Sequence, residues 1–136
     1  ALEQYIQEID ELIGEIRGLA AAGIETAKQR LGGQVAKLLD RGAGLDEQRL
    51  HQEAVLLATR ADVEEEIKRL GAHVESARSL LTSDGAVGRK LDFLAQEFNR
   101  EANTICSKAV DARMSKSGLQ LKVVIDQLRE QVQNVE

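Results

Sequence analysis

Proline and tryptophan are both absent from these 136 residues, and two Phe and one Tyr supply the only benzene-type rings. Each absence excludes something. Without proline no helix is forced to kink or stop at a missing backbone donor. With 2% aromatics the interior is not bulky, and stacking of single-stranded bases is not the main mode of any nucleic-acid recognition. The single cysteine, Cys106, has no partner for an internal disulfide, which fits a reducing cytoplasm. It reads as a small packing residue rather than a nucleophile, since no base stands at a suitable spacing. No signal peptide or membrane-length apolar run is present. There is also no GxxxxGK(S/T) loop, CxxC pair, HExxH, GxSxG or RNP-type motif, which removes the common nucleotide, zinc, serine-hydrolase and RNA-recognition signatures.

What remains is 43% apolar residues, enough for one domain's core, in a sequence rich in Leu, Ala, Glu, Gln and Arg. This composition predicts an all-α fold, a bundle of four to five helices with a long helical hairpin. Long, few helices cover their own apolar stripes poorly, which favours an oligomer or a further domain. The net charge of −5 argues against nucleic acid, but it is unevenly spread. Residues 1–66 carry 7 basic and 14 acidic side chains, whereas residues 67–136 carry 11 and 9. The second half is compatible with RNA without being a basic footprint.

Apolar spacing predicts a helix from Leu2 to Ala22, a bend or stop around Ala22-Gly23, and a second segment from Ile24 to Leu39 with a possible kink at Gly32-Gly33. Arg41 to Gly44 is the clearest breaker, and Asp46 stands where an N-cap belongs. A long helix is expected from Asp46 to Leu81. Its stripe Leu50, Ala54, Leu57, Ala61 changes phase at Arg60 to Asp62 into Val63, Ile67, Leu70, Val74, Ala77. After a turn over Thr82 to Gly85, the stretch GRKLDFLAQEFNREANTICSK carries Val87, Leu91, Leu94, Phe98, Ala102 and Ile105 on one helical stripe. Residues 109–117 leave two options, a continued helix or a break near Asp111 to Ser115. A last amphipathic helix follows.

Two sets of polar residues point to chemistry. Asp62, Glu66, Arg69 and His73 share one face of the long helix, on the wall of a groove rather than in the core. Carboxylates and an imidazole converging there can hold a hard or borderline divalent ion, and His moves protons near neutral pH. The plainer reading is ion pairing along the helix, such as Glu65 with Arg69, in water. On the next helix Lys90, Glu97, Glu101 and Lys108 run along one edge of the stripe, with Asp92, Gln96, Asn99 and Asn103 on the far side. Asn and Asp are poor helix-interior residues, so that second row is unusual. Arg60, Arg69, Arg89, Lys90, Arg100 and Lys108 could grip phosphates, with Gln96, Asn99 and Asn103 hydrogen-bonding sugar or base edges. Asp92, Glu97 and Glu101 could add metal ligands or a general base. Lys122 and Arg129 of the last helix would extend such a track. The plainer alternative is a bundle or oligomer interface.

The string GRKLDFLAQEFNREANTICSK, with RADVEEEIKRLGAH upstream and LREQVQNVE at the end, closely resembles the C-terminal half of the YicC family of bacterial endoribonucleases. The resemblance is strongest from Leu45 to Glu136 and weaker from Ala1 to Gly44. Asp62, Glu65, Glu66, Arg69 and His73 each match the family's pattern, while Glu64 stands where a small polar residue is expected. In that family another domain lies upstream, and the chain opens on Ala1 without an initiator Met. Residues 1–44 are therefore expected to be a helical connector after an absent N-terminal domain, and residues 45–136 the YicC-like C-terminal domain.

The resemblance implies RNA cleavage dependent on a divalent metal, Mn²⁺ or Mg²⁺, by a ring-like homo-hexamer in the cytoplasm, with no membrane partner. The resemblance assigns no individual ligands, so the residues remain candidates: His73, Asp92, Glu97 and Glu101 for catalysis, and Asp62, Glu65, Glu66 and His73 for the metal. Two other classes of function stay open. In one the segment is an assembly domain with catalysis elsewhere. In the other it is an RNA-binding adaptor for another nuclease.

Overall fold

In a computed structural model of the chain, residues 2–40, 47–83, 87–109 and 111–135 are described. They form four helices and no strand: α1 (Leu2–Leu39), α2 (Glu47–Thr82), α3 (Gly88–Lys108) and α4 (Ala112–Val135). The all-α bundle expected from composition is therefore present. The expected break at Gly23 is not, because α1 runs through Gly23 and Gly32-Gly33 without interruption. A glycine costs an exposed helix interior only about 1 kcal/mol, and the apolar spacing on either side outweighs it. The breaker at Arg41 to Gly44, the Asp46 cap and the tip of the second turn lie outside the described residues.

The helices run up, down, up and down. Arg78 donates to Asp10 and Gln7, and Lys108 donates to Asp62. Arg129 faces Asp92, so each successive helix reverses direction. Each helix packs on two others, α1 and α3 each lying between α2 and α4. Buried side chains recur at alternating steps of three and four, as in Ile6, Ile9, Ile13, Ile16 and Ala20 of α1 or Val63, Ile67, Leu70, Val74 and Ala77 of α2. Steps of that kind suit helices crossing at about 20°. The core closes around Phe98, Leu91, Ile105, Leu121, Ile125 and Leu128, all fully buried.

Of the two options for residues 109–117, the break is the observed one, and it falls slightly earlier. Ala109 is extended, and α4 starts at Ala112. Asp111 caps it: its Oδ1 accepts from the Arg113 N–H at 2.8 Å, and its carbonyl accepts from the Ser115 N–H. The Arg113 side chain and N–H both hold the Asp111 carboxyl below its ordinary range.

The α1–α2 pair outruns the other two helices. Beyond Ala20 only Ala27 of α1 is buried, and residues 47–62 of α2 bury nothing fully. Val35, Leu38, Leu39 and Val55 are exposed on this two-helix arm, which extends roughly 28 Å past the body. The phase change in α2 falls where it leaves the arm and enters the body. There Arg60 turns across α1 and its guanidinium lies against Gly23, where any side chain would collide with it. A second close approach joins α3 to α4, where a side chain at Gly118 would meet the Cys106 sulfur at 2.8 Å. No described helix is long and apolar enough to cross a membrane.

Candidate metal and RNA groove between α2 and α3

Helical spacing on α2 and α3 delivers two polar rows to one groove. From α3 come Lys90, Glu97, Glu101 and Lys108, the row along the edge of the apolar stripe. From α2 come Glu66, Arg69 and His73. Because the two helices are antiparallel, the middle of each row meets the middle of the other. There His73 Nε2 lies 3.9 Å from Glu101 Oε1, and one donor atom from each of His73, Glu97 and Glu101 falls within 4.8 Å of the others.

Glu101 is the unusual member, with only 4% of its surface exposed. Burial pushes its carboxyl up to about 7, and the nearby Glu66 carboxyl reinforces the shift by sharing a proton and by its charge. Glu97 adds to this and Arg69 opposes it. Arg69 donates to Glu66 at 2.8 Å and stands 3.8 Å from Glu101. The Glu66 carboxylate, by its charge and hydrogen bond, raises the Arg69 guanidinium further above its ordinary value. The His73 ring meets the buried Phe98 ring edge-on, centroids 6.1 Å apart.

A buried carboxyl crowded by two others, with an imidazole nitrogen among them, is an N/O donor set suited to a hard or borderline divalent cation. The donor chemistry thus fits Mn²⁺ or Mg²⁺, through His73, Glu97 and Glu101.

The other sequence candidates fall elsewhere. Asp62 is 63% exposed at its side chain and pairs with Lys108 at 3.5 Å, further along the groove. Glu65 is exposed and faces water. Asp92 is turned to α4, where its Oδ1 stands 3.8 Å from Arg129 Nε, and its Oδ2 accepts from Gln96. Asp92 thus stands apart from His73, Glu97 and Glu101. Asn99 is half-buried and Asn103 exposed, both on the side of α3 away from α2.

The cations divide in the same way. Arg69, Lys90, Arg100 and Lys108 belong to the α2–α3 side, where Arg100 lies 3.8 Å from Glu97, and Arg89 borders clefts on both flanks of α3. Arg129 and half-buried Lys122 sit on α4, while Arg60 is committed to the root of the arm. One groove residue escaped the sequence reading. Phe93 is 60% exposed, four residues before Glu97, and its signal was a phenylalanine standing on the polar edge rather than on the stripe.

Comparison with known proteins identifies the family of the chain. Residues 16–136 match the family described as endoribonuclease YicC-like, C-terminal. The chain is 42% identical over 135 residues to the probable endoribonuclease YicC of Haemophilus influenzae, covering 99% of this chain and 46% of that protein. It is 36% identical over 135 residues to the probable endoribonuclease YicC of Clostridioides difficile, covering 99% and 44%. The chain thus spans a little under half the length of these relatives.

Proposed function

The chain belongs to the YicC-like endoribonuclease family, as its C-terminal domain, and from that premise we propose that its α2–α3 groove is the metal and RNA cleavage site. The observation that supports this is the convergence of His73 and Glu97 on Glu101, a buried carboxyl whose proton affinity burial raises. In this reading the three residues hold one Mn²⁺ or Mg²⁺ ion. Such an ion supplies charge at a scissile phosphate and acidifies a water.

The protein's own groups do the rest. Arg69, fixed by Glu66, and Arg100 at the groove's lip place phosphate oxygens. Glu66 is the carboxylate next to the ligand set that can take the proton from the attacking hydroxyl or water. Lys108 extends the positive edge toward the root of the arm.

A second reading, assembly, is supported by the arm. Leu38, Leu39 and Val55 expose apolar surface on a paired-helix extension with little core of its own. We propose that the arm carries contacts of a homo-oligomer, the hexamer expected for the family, working in the cytoplasm. The two readings are compatible.

The test uses the full-length protein with a labelled structured RNA, in Mn²⁺, in Mg²⁺ and in EDTA, with His73→Ala and Glu101→Gln variants. Loss of cleavage together with loss of Mn²⁺ binding, at unchanged assembly, supports the site. Full cleavage by both variants overturns it and leaves the chain an assembly domain. RNA binding without cleavage by the pure wild-type protein would make it an adaptor.

A further inference from the structure

At the end of the groove nearest the start of α3, a cleft of about 720 Å³ opens between the two helices. Its floor is apolar, formed by Leu80 and Leu94, and Phe93 stands in its wall. Arg89 and Lys90 rim it, and neither forms an ion pair with a described residue. Ser76, Ser79 and Ser83 line the α2 side. No acidic residue occupies the first turn of α3, and Val87 gives that helix no side-chain cap. The first-turn N–H groups add their partial positive charge to the two cations. On α3, Arg89, Phe93, Glu97 and Glu101 stand four apart in one row. Phe93 therefore lies one helical step, about 6 Å, from Glu97 of the carboxylate cluster.

We propose that this cleft is the subsite for an unpaired nucleotide of the RNA that flanks the cleaved bond. Its base stacks on Phe93 over the Leu80–Leu94 floor, and Arg89 and Lys90 hold its phosphate. The inference rests on the RNA-cleavage reading and adds where a substrate strand enters and that it is single-stranded there. The pairing of two cations with an exposed aromatic fits a nucleotide, which presents an anionic phosphate and a flat, sequence-tolerant π-face. A protein helix docked in the same place would leave both cations against an apolar partner. An aromatic used once in this way does not make stacking the main source of affinity. It positions one base beside the carboxylates.

The experiment measures RNA binding by the full-length protein in EDTA, so that cleavage does not intervene. The probe is an oligoribonucleotide with a single 2-aminopurine moved along an unpaired stretch. At one position the wild-type protein should quench its fluorescence, and Phe93→Ala should lose that quenching and weaken binding about tenfold, as is usual for one stacked base. An abasic nucleotide at that position should weaken the wild type equally and the Phe93→Ala variant no further. Phe93→Trp should restore both signals. Arg89→Ala with Lys90→Ala should flatten the salt dependence of binding by roughly one to two phosphate contacts.

Unchanged affinity and quenching in Phe93→Ala, with the wild type binding normally, overturns the subsite alone. If the same variant instead changes the oligomeric mass, the surface is a contact between copies and the proposal also falls. Absence of RNA binding by the wild type overturns both this proposal and the cleavage reading. Retained cleavage in the His73 and Glu101 variants overturns the cleavage-site assignment and with it the place of this nucleotide beside the cleaved bond, whereas the Phe93 measurements alone decide whether the cleft binds an unpaired nucleotide.

Discussion

His73 on α2 and Glu101 on α3 face each other with Nε2 and Oε1 3.9 Å apart, too far for a hydrogen bond and with Glu97 alongside. That relation ties a surface helix row to a buried carboxyl and makes the two residues separable by mutation. Glu101→Gln keeps the shape and removes the charge. It should lower Mn²⁺ affinity by about a hundredfold or more, beyond the ten- to hundredfold typical of outer-shell changes. Wild-type protein at a hundred times its Kd should gain about 2.7 kcal/mol from the ion. Thermal melts with and without Mn²⁺ measure both, and an equal gain in the variant removes Glu101 from the ligand set.

The same carboxyl sets a pH dependence in metal-free protein. Its folded value of about 7 lies above the ordinary 4.5, so the folded state holds the proton more tightly than the unfolded state. Stability must then fall as pH rises from about 4.5 through 7, and level off above. The full span is on the order of 3 kcal/mol for a shift of this size. In EDTA the Tm should drop between pH 5 and pH 8, and Glu101→Gln should flatten the drop. A flat wild-type profile would show that the carboxyl is solvated.

Gly23 and Arg60 make a third pair that can be tested. Glycine inside α1 costs about 1 kcal/mol against alanine, yet a β-carbon there would collide with the Arg60 guanidinium. The Arg60 Nε is already buried without a hydrogen-bond partner. Gly23→Ala alone should be close to neutral, because the helix gain is offset by displacing Arg60. In an Arg60→Ala background the same change should stabilise by about 1 kcal/mol. Chemical denaturation of the four proteins gives the coupling, and additive effects would mean that Arg60 moves away freely.

These cases show what was legible in the sequence. The apolar stripes of all four helices were readable because three- and four-residue steps leave few alternatives to a bundle. The rows Glu66, Arg69, His73 and Glu97, Glu101 were each visible on their helices. Their meeting depended on the antiparallel register of α2 and α3, which packing between the helices sets and periodicity does not. The row of Asp92, Gln96, Asn99 and Asn103 looked chemical because its residues are unsuited to helix interiors. Asp92 is instead turned to Arg129 of α4, and spacing on one helix does not say which neighbour a flank will face. The stop at Gly23 was over-read for a related reason. A glycine can mark a break or a place where another side chain crosses, and only the packing distinguishes them.

Asp92 and Arg129 give the converse prediction to the metal cluster. Their facing atoms are buried, 3.8 Å apart, and lack other partners. Asp92→Asn should cost roughly 0.5–1 kcal/mol, the scale of a partly exposed ion pair, and leave Mn²⁺ affinity and cleavage within about twofold of wild type. Abolished cleavage at retained fold would move the reaction centre to the α3–α4 flank.

Phe98 offers the strictest test of whether the core orients the site. It is fully buried and presents its ring to the edge of His73 at 84°. Phe98→Leu keeps most of the volume and should cost about 1–2 kcal/mol through lost packing and the aromatic contact. If the ring also fixes the imidazole plane, the variant should bind Mn²⁺ about tenfold more weakly although no ligand has changed. Raising Mn²⁺ should then recover cleavage in Phe98→Leu but not in His73→Ala. Wild-type Mn²⁺ affinity in a destabilised Phe98→Leu protein would make Phe98 a core filler and leave His73 oriented by its own helix.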